Sequence, residues 1–168
     1  MLDMEKFVLI RKTVCEIAGI ECSPVSAGTV SMLNWFEAKV TAYVDNGHYP
    51  KCDYFYGAAW LFFITSMRPF RSHNLVTALC YCTFIMHHRG IVVSGVSQDE
   101  GLEIIARVKA EYKSSPAQAA ITFAQEYRYW LYIHSKETPL SDMDAMVDVR
   151  AAAYTGCRGL SANLITCW

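Results

Sequence analysis

A chain of 168 residues carrying 15 basic and 16 acidic side chains, net charge −1, offers no electrostatic footprint for nucleic acid. Its length suits one domain able to bury roughly 70% of its unfolded surface. A mean hydropathy of +0.16 raises the question of a membrane, but the two strongest apolar runs, 54–67 and 75–86, each fall short of the roughly 20 residues a spanning helix needs. Arg68, Arg71 and His73 lie between those runs and prevent their fusion into one span, so both read as buried core helices.

In chain order, Phe7, Ile10, Val14 and Ile17 recur at helical spacing, predicting a helix over 4–18 capped by Asp3 and ended by Gly19. Pro24, Ser26 and Gly28 mark 20–29 as a loop or short β-hairpin flap. A second helix follows over 30–45, with Leu33, Phe36, Val40 and Tyr43-Val44 on one face and Asn46-Gly47 as its stop. Asp53 is placed to cap the helix 54–67. Asn74 is placed to cap the helix 75–88, which closes at Gly90 and leads into an extended Ile91-Val-Val93. Ser97 and Glu100 have capping-box spacing before a helix over 98–112. Ser115-Pro116 starts a helix over 116–134, with Gln118 at the position of a second box. A last helix over 142–154 and a tail over 157–168 complete a single domain, 1–168. The fold class expected is all-α, six or seven helices around a central antiparallel pair.

The N-terminus, Met1-Leu-Asp-Met-Glu-Lys, lacks the pattern of a signal peptide. Seven cysteines is an odd number, and Cys15, Cys80, Cys82 and Cys157 fall in helical patterns as small buried hydrophobes. The expectation is a reducing, cytoplasmic setting. Cys80 and Cys82, two apart, diverge on a helix and make a poor metal pair. His87 and His88 suit a helix C-terminus better than a metal. Asp142, Asp144 and Asp148 lack calcium-ligand spacing. No metal site is expected.

The polar stretch Arg68-Pro-Phe-Arg-Ser-His-Asn74 is the candidate site, because two buried helices fix its backbone. Three readings of its residues stay open. One is a solvated connector. Another is an anion site built from Arg68, Arg71, Ser72, His73, Asn74 and the N-terminus of the following helix. The third has His73 as a base, since its ordinary pKa suits proton transfer. The aromatics Phe123, Tyr127, Tyr129, Trp130 and Tyr132 of helix 116–134 exceed what one buried face holds, which points to a protein partner or a second copy of the chain.

The order "apolar helix, Arg68-Pro-Phe-x-x-x-Asn74-x-x-Thr-Ala-Leu79, apolar helix ending His-His-Arg-Gly90, then Ile-Val-Val93" resembles the Fic/Doc family over about residues 33–130. Those proteins carry a His-x-Phe-x-Asp/Glu-Gly/Ala-Asn-Gly/Lys-Arg loop between two central helices. The resemblance implies a Fic/Doc-like bundle and transfer of AMP, phosphate or another nucleotide-derived group to a protein hydroxyl. In that chemistry the motif His is the base, the acidic residue holds Mg²⁺, and the motif Arg neutralises phosphate charge. This chain keeps Pro69, Phe70 and Asn74, with Phe70 as the anchor of the loop. Arg68 stands at the base position, Ser72 at the metal-binding carboxylate, His73 at the small residue, and Leu75-Val76 at the Gly/Lys-Arg pair. An arginine accepts no proton near neutral pH. The expectation is therefore a catalytically degenerate, toxin- or effector-like protein that binds a protein partner or a nucleotide or phosphate anion, with or without Mg²⁺. The alternatives are an active transferase with a rewired motif and an unrelated helical interaction module.

Overall fold

The computed structural model describes residues 4–47, 52–93, 96–112, 115–137 and Leu160. Within them the chain runs α1 (Met4–Ala18), α2 (Ala27–Asp45), α3 (Asp53–Met67), α4 (Asn74–His87), β1 (Ile91–Val93), α5 (Gln98–Glu111), α6 (Pro116–Ile133) and β2 (Ser135–Glu137). The protein is mainly helical, as its periodicity predicts. The expected helix 142–154, the tail from 157, the Asp3 cap, and Asp142, Asp144, Asp148 and Cys157 lie outside the described residues.

Helix α3 is the centre. From Gly57 to Thr65 every residue is buried, so the helix has no solvent face, and its two largest interfaces are with α4 and α6. Its antiparallel partner α4 is buried still more fully, at every residue but Ile85. The close approach uses Gly57, where a Cβ would sit 3.1 Å from Cys82 Sγ, 3.2 Å from Met86 Sδ and 3.5 Å from a Leu131 methyl carbon. Aromatic rings fill the α2–α3 seam: Phe36 stacks on Phe63 at 3.8 Å between centroids and meets Trp60 edge-on at 4.9 Å.

Local chemistry fixes most helix ends. Ser26 accepts from Thr29 N–H at 3.0 Å and starts α2 three residues earlier than the apolar face alone suggests. Ser97 and Glu100 form the expected capping box. At Ser115 only the half that accepts from Gln118 N–H is made. Residues 19–26 form an irregular connector rather than a hairpin. The one β-pairing among the described residues is instead β1 with β2, antiparallel, Val92 opposite Lys136. Ile17, expected on the core face of α1, is 52% exposed.

Two caps differ from expectation. Cys52 is the N-cap of α3 without a side-chain bond, and Asp53, one residue inside, ion-pairs with Arg89 at 3.3 Å across the far end of the α3–α4 pair. At α4 the N-cap is His73, not Asn74, for a reason that belongs to the site.

Candidate functional site

The turn between α3 and α4 is bracketed by two non-glycine residues with left-handed backbone, Arg68 (φ 49°) and His73 (φ 60°). Each such residue costs about 1 kcal/mol or more. Asn74 offsets that cost. Phe70 N–H donates to Asn74 Oδ1 and Asn74 Nδ2–H donates to the Phe70 carbonyl, both at 2.9 Å, so one amide closes the loop on itself. A side chain so engaged cannot also cap the helix. Phe70 does anchor the loop: half-buried, it stacks on Phe7 at 5.9 Å.

Beneath the loop lies a residue that the motif gives no reason to expect. Arg11, from α1, is 5% exposed. Its Cζ sits 4.4 Å from the centre of the Phe70 ring, and Nη1–H donates to Thr77 Oγ1 at 3.2 Å. Thr77 in turn donates to the His73 carbonyl at 2.7 Å. No carboxylate pairs with Arg11 among the described residues, and its Nε has no acceptor. Burial pulls the Arg11 pKa down, while the Cys15 and Cys22 thiols act in the opposite sense.

The predicted site residues divide between surface and interior. Arg68 and Arg71 are exposed, Ser72 is half-buried, and His73 and Asn74 are buried. His73 Nδ1 lies 2.8 Å from Ser72 Oγ, and Nε2 has no partner. Burial, and secondarily the Arg11 charge, lower the His73 pKa, so the ring is neutral at pH 7. Asn74, Leu75 and Val76 are each 0% exposed, which closes the first amides of α4 to any ligand in this conformation. The guanidiniums, not the helix N-terminus, are the anion-attracting groups here.

A second concavity lies at the other end of the α3–α4 pair. It is a cleft of about 1080 Å³ against α2, lined among others by Glu37, Asp45, Asp53, Tyr56, Trp60 and Arg89. It carries three carboxylates, one of them paired to Arg89, and is the acidic counterpart of the basic loop. Burial raises the Tyr56 pKa, and Glu37 and Asp45 add to the effect. Burial favours the protonated form of two thiols, pushing Cys82 up to about 12 and, with a hydrogen bond to Cys22, Cys15 up to about 11. No group of three or more metal-ligating side chains occurs among the described residues.

Motif reasoning misses Arg11 because it lies 57 positions before Arg68. The signal was nonetheless in α1, where Arg11 is the one charge inside the stripe Phe7, Ile10, Val14. Comparison with protein-family models, with curated proteins and with solved structures finds no match for this chain.

Proposed function

We propose that this chain is a binding protein, similar to the Fic/Doc family in the order of its central elements, that has lost group transfer and docks a phosphate-bearing anion against loop 68–74. Arg11 carries the reading: a cation buried under the loop, with no carboxylate counter-ion among the described residues, is complementary to an anion rather than to the core around it. Arg68 and Arg71 add exposed positive charge above it. Ser72 stands where the resemblance puts a metal-holding carboxylate, so the anion, a free phosphate or a nucleotide, binds without Mg²⁺.

The second reading, an active transferase with a rewired motif, takes His73 as the base. Its neutral ring favours that role. Its burial opposes it, since a base must reach the hydroxyl it deprotonates. A protein partner is the other half of the proposal: Tyr129, Tyr132 and Ile133 stand exposed together at the end of α6, as a docking face for another protein or a second copy. Cys80 and Cys82 are buried and in no disulfide among the described residues, which accords with the reducing, cytoplasmic setting proposed for it.

The test is thermal unfolding with inorganic phosphate, ATP, GTP, CTP, UDP-sugars and CDP-choline, each with and without Mg²⁺. A ligand at a hundredfold over its dissociation constant adds about 2.7 kcal/mol, or about 5–10 °C in Tm for a domain of this size. The reading predicts a shift independent of Mg²⁺, weakened by salt and reduced in Arg71→Ala. No shift with any of them would remove the anion and leave the α6 face.

A further inference from the structure

Arginine presents five N–H donors and keeps its charge in proteins. Arg11 uses one of them, on the hydroxyl of Thr77, and lays its plane on Phe70. Its Nε–H is buried without an acceptor. His73 is 3% exposed and joined to the same cluster, since Thr77 Oγ1 accepts from Arg11 and donates to the His73 carbonyl. Its Nδ1 lies 2.8 Å from Ser72 Oγ, and in the tautomer in which that hydroxyl donates to Nδ1 the ring proton sits on Nε2, which has no partner. In that tautomer two unsatisfied donors, one of them cationic, belong to one buried hydrogen-bonded cluster. Buried donors in native proteins are satisfied almost without exception, by protein or by ordered water, so the pair leaves a place for an acceptor that the fold itself does not supply.

We propose that Arg11 and His73 form an inner seat for a small tetrahedral oxyanion of the phosphate-monoester class, entered when loop 68–73 lifts. The inference rests on the anion-docking reading above and deepens it by naming the residues that hold the charge. Entry requires the half-buried Phe70 ring to leave Phe7 and Arg11, while Arg71 is exposed and Ser72 is half-buried. Arg68 and Arg71 meet the anion first, and Arg11 and His73 retain it. A metal-bound triphosphate is excluded from the seat, because the loop offers no carboxylate to the metal. A planar monoanion such as acetate carries less charge and fewer acceptor oxygens, and binds more weakly.

The decisive experiment measures Tm and phosphate affinity at pH 7 for the full chain and for Arg11→Met, His73→Asn and Arg71→Ala. Inorganic phosphate and O-phosphoserine are the probes and acetate the control. Methionine keeps the length and apolar contact of Arg11 while removing an unpaired buried charge. Arg11→Met is therefore expected to unfold at least about 2 °C above the wild type in phosphate-free buffer, and to lose the response to phosphate. A merely structural arginine would do the opposite. His73→Asn tolerates the left-handed backbone and removes Nε2, and is expected to weaken phosphate by about tenfold. Arg71→Ala keeps the wild-type Tm and loses a few-fold in affinity. An Arg11→Met protein that answers phosphate as the wild type does, or that melts below it in phosphate-free buffer, overturns the inner seat. If that response survives in Arg11→Met and His73→Asn but vanishes in Arg71→Ala, the anion docks on the outer loop alone, and the proposed function stands without the seat. If the wild type answers none of the probes, both fall.

Discussion

Asn74 separates two accounts of the turn between α3 and α4. As a helix N-cap, Asn74→Asp would be neutral, because aspartate caps as well as asparagine. As a clasp, the same change is severe. The carboxylate keeps an acceptor for Phe70 N–H but sets a second acceptor against the Phe70 carbonyl, at a position with no exposed surface. Asn74→Ala forfeits both 2.9 Å bonds. Each leaves a half-buried backbone group short of a partner at about 1 kcal/mol, so the loss is about 2–3 kcal/mol. Asn74→Asp adds the burial of a charge and should cost about 3 kcal/mol or more. For a domain of this size that lowers Tm by about 6–12 °C. Urea and thermal unfolding followed by circular dichroism give both numbers. An Asn74→Asp protein within about 0.5 kcal/mol of the wild type would refute the clasp and restore the cap.

Two further outcomes follow from the packing and from the buried histidine. Gly57→Val drives two methyl groups toward Cys82 and Met86, where a bare Cβ already stands at 3.1 and 3.2 Å, and should cost about 1–3 kcal/mol. Adding Cys82→Ala should recover part of that loss, and strict additivity in the double-mutant cycle would contradict the contact. The His73 pKa is lowered in the folded state, so the unfolded chain binds the proton more tightly. The associated stability is complete above the ordinary value of 6.5 and declines as pH falls below it. Tm measured from pH 7.5 to 5.5 should therefore fall less in His73→Asn than in the wild type; equal slopes would mean that His73 titrates freely.

Helix positions were legible because the apolar residues of α1, α2 and α5 keep a helical period and because serines at 97 and 115 announce two starts, whereas Ser26 reads as part of a loop and caps α2 instead. Helix α3 has no amphipathic period to read, and its length and its flanking polar residues identify it instead. The sequence does not reveal that α6, a distant segment, shares the role of close partner with α4. Nor does it reveal that Val92 meets Lys136. Asn74 and Asp53 were misassigned as caps because both residue types cap helices in isolation. Their tertiary partners, Phe70 and Arg89, outweigh that local preference. Of the site, the polar loop was visible as an interruption between two apolar runs. Arg11 was present as a charge inside the apolar stripe of α1, but its meaning depends on α1 crossing under the loop, and the acidic cleft forms only where α2, α3 and α4 pack together.

The most direct test of anion docking at the loop is a titration of isotope-labelled protein with inorganic phosphate, followed by ¹H–¹⁵N correlation spectra that include the arginine Nε–H groups. The account predicts shifts confined to residues 68–77 and to Arg11, with the Nε–H of Arg11 moving as an acceptor reaches it. Shifts gathered instead around Glu37, Tyr56 and Arg89, or none at any residue, would contradict it.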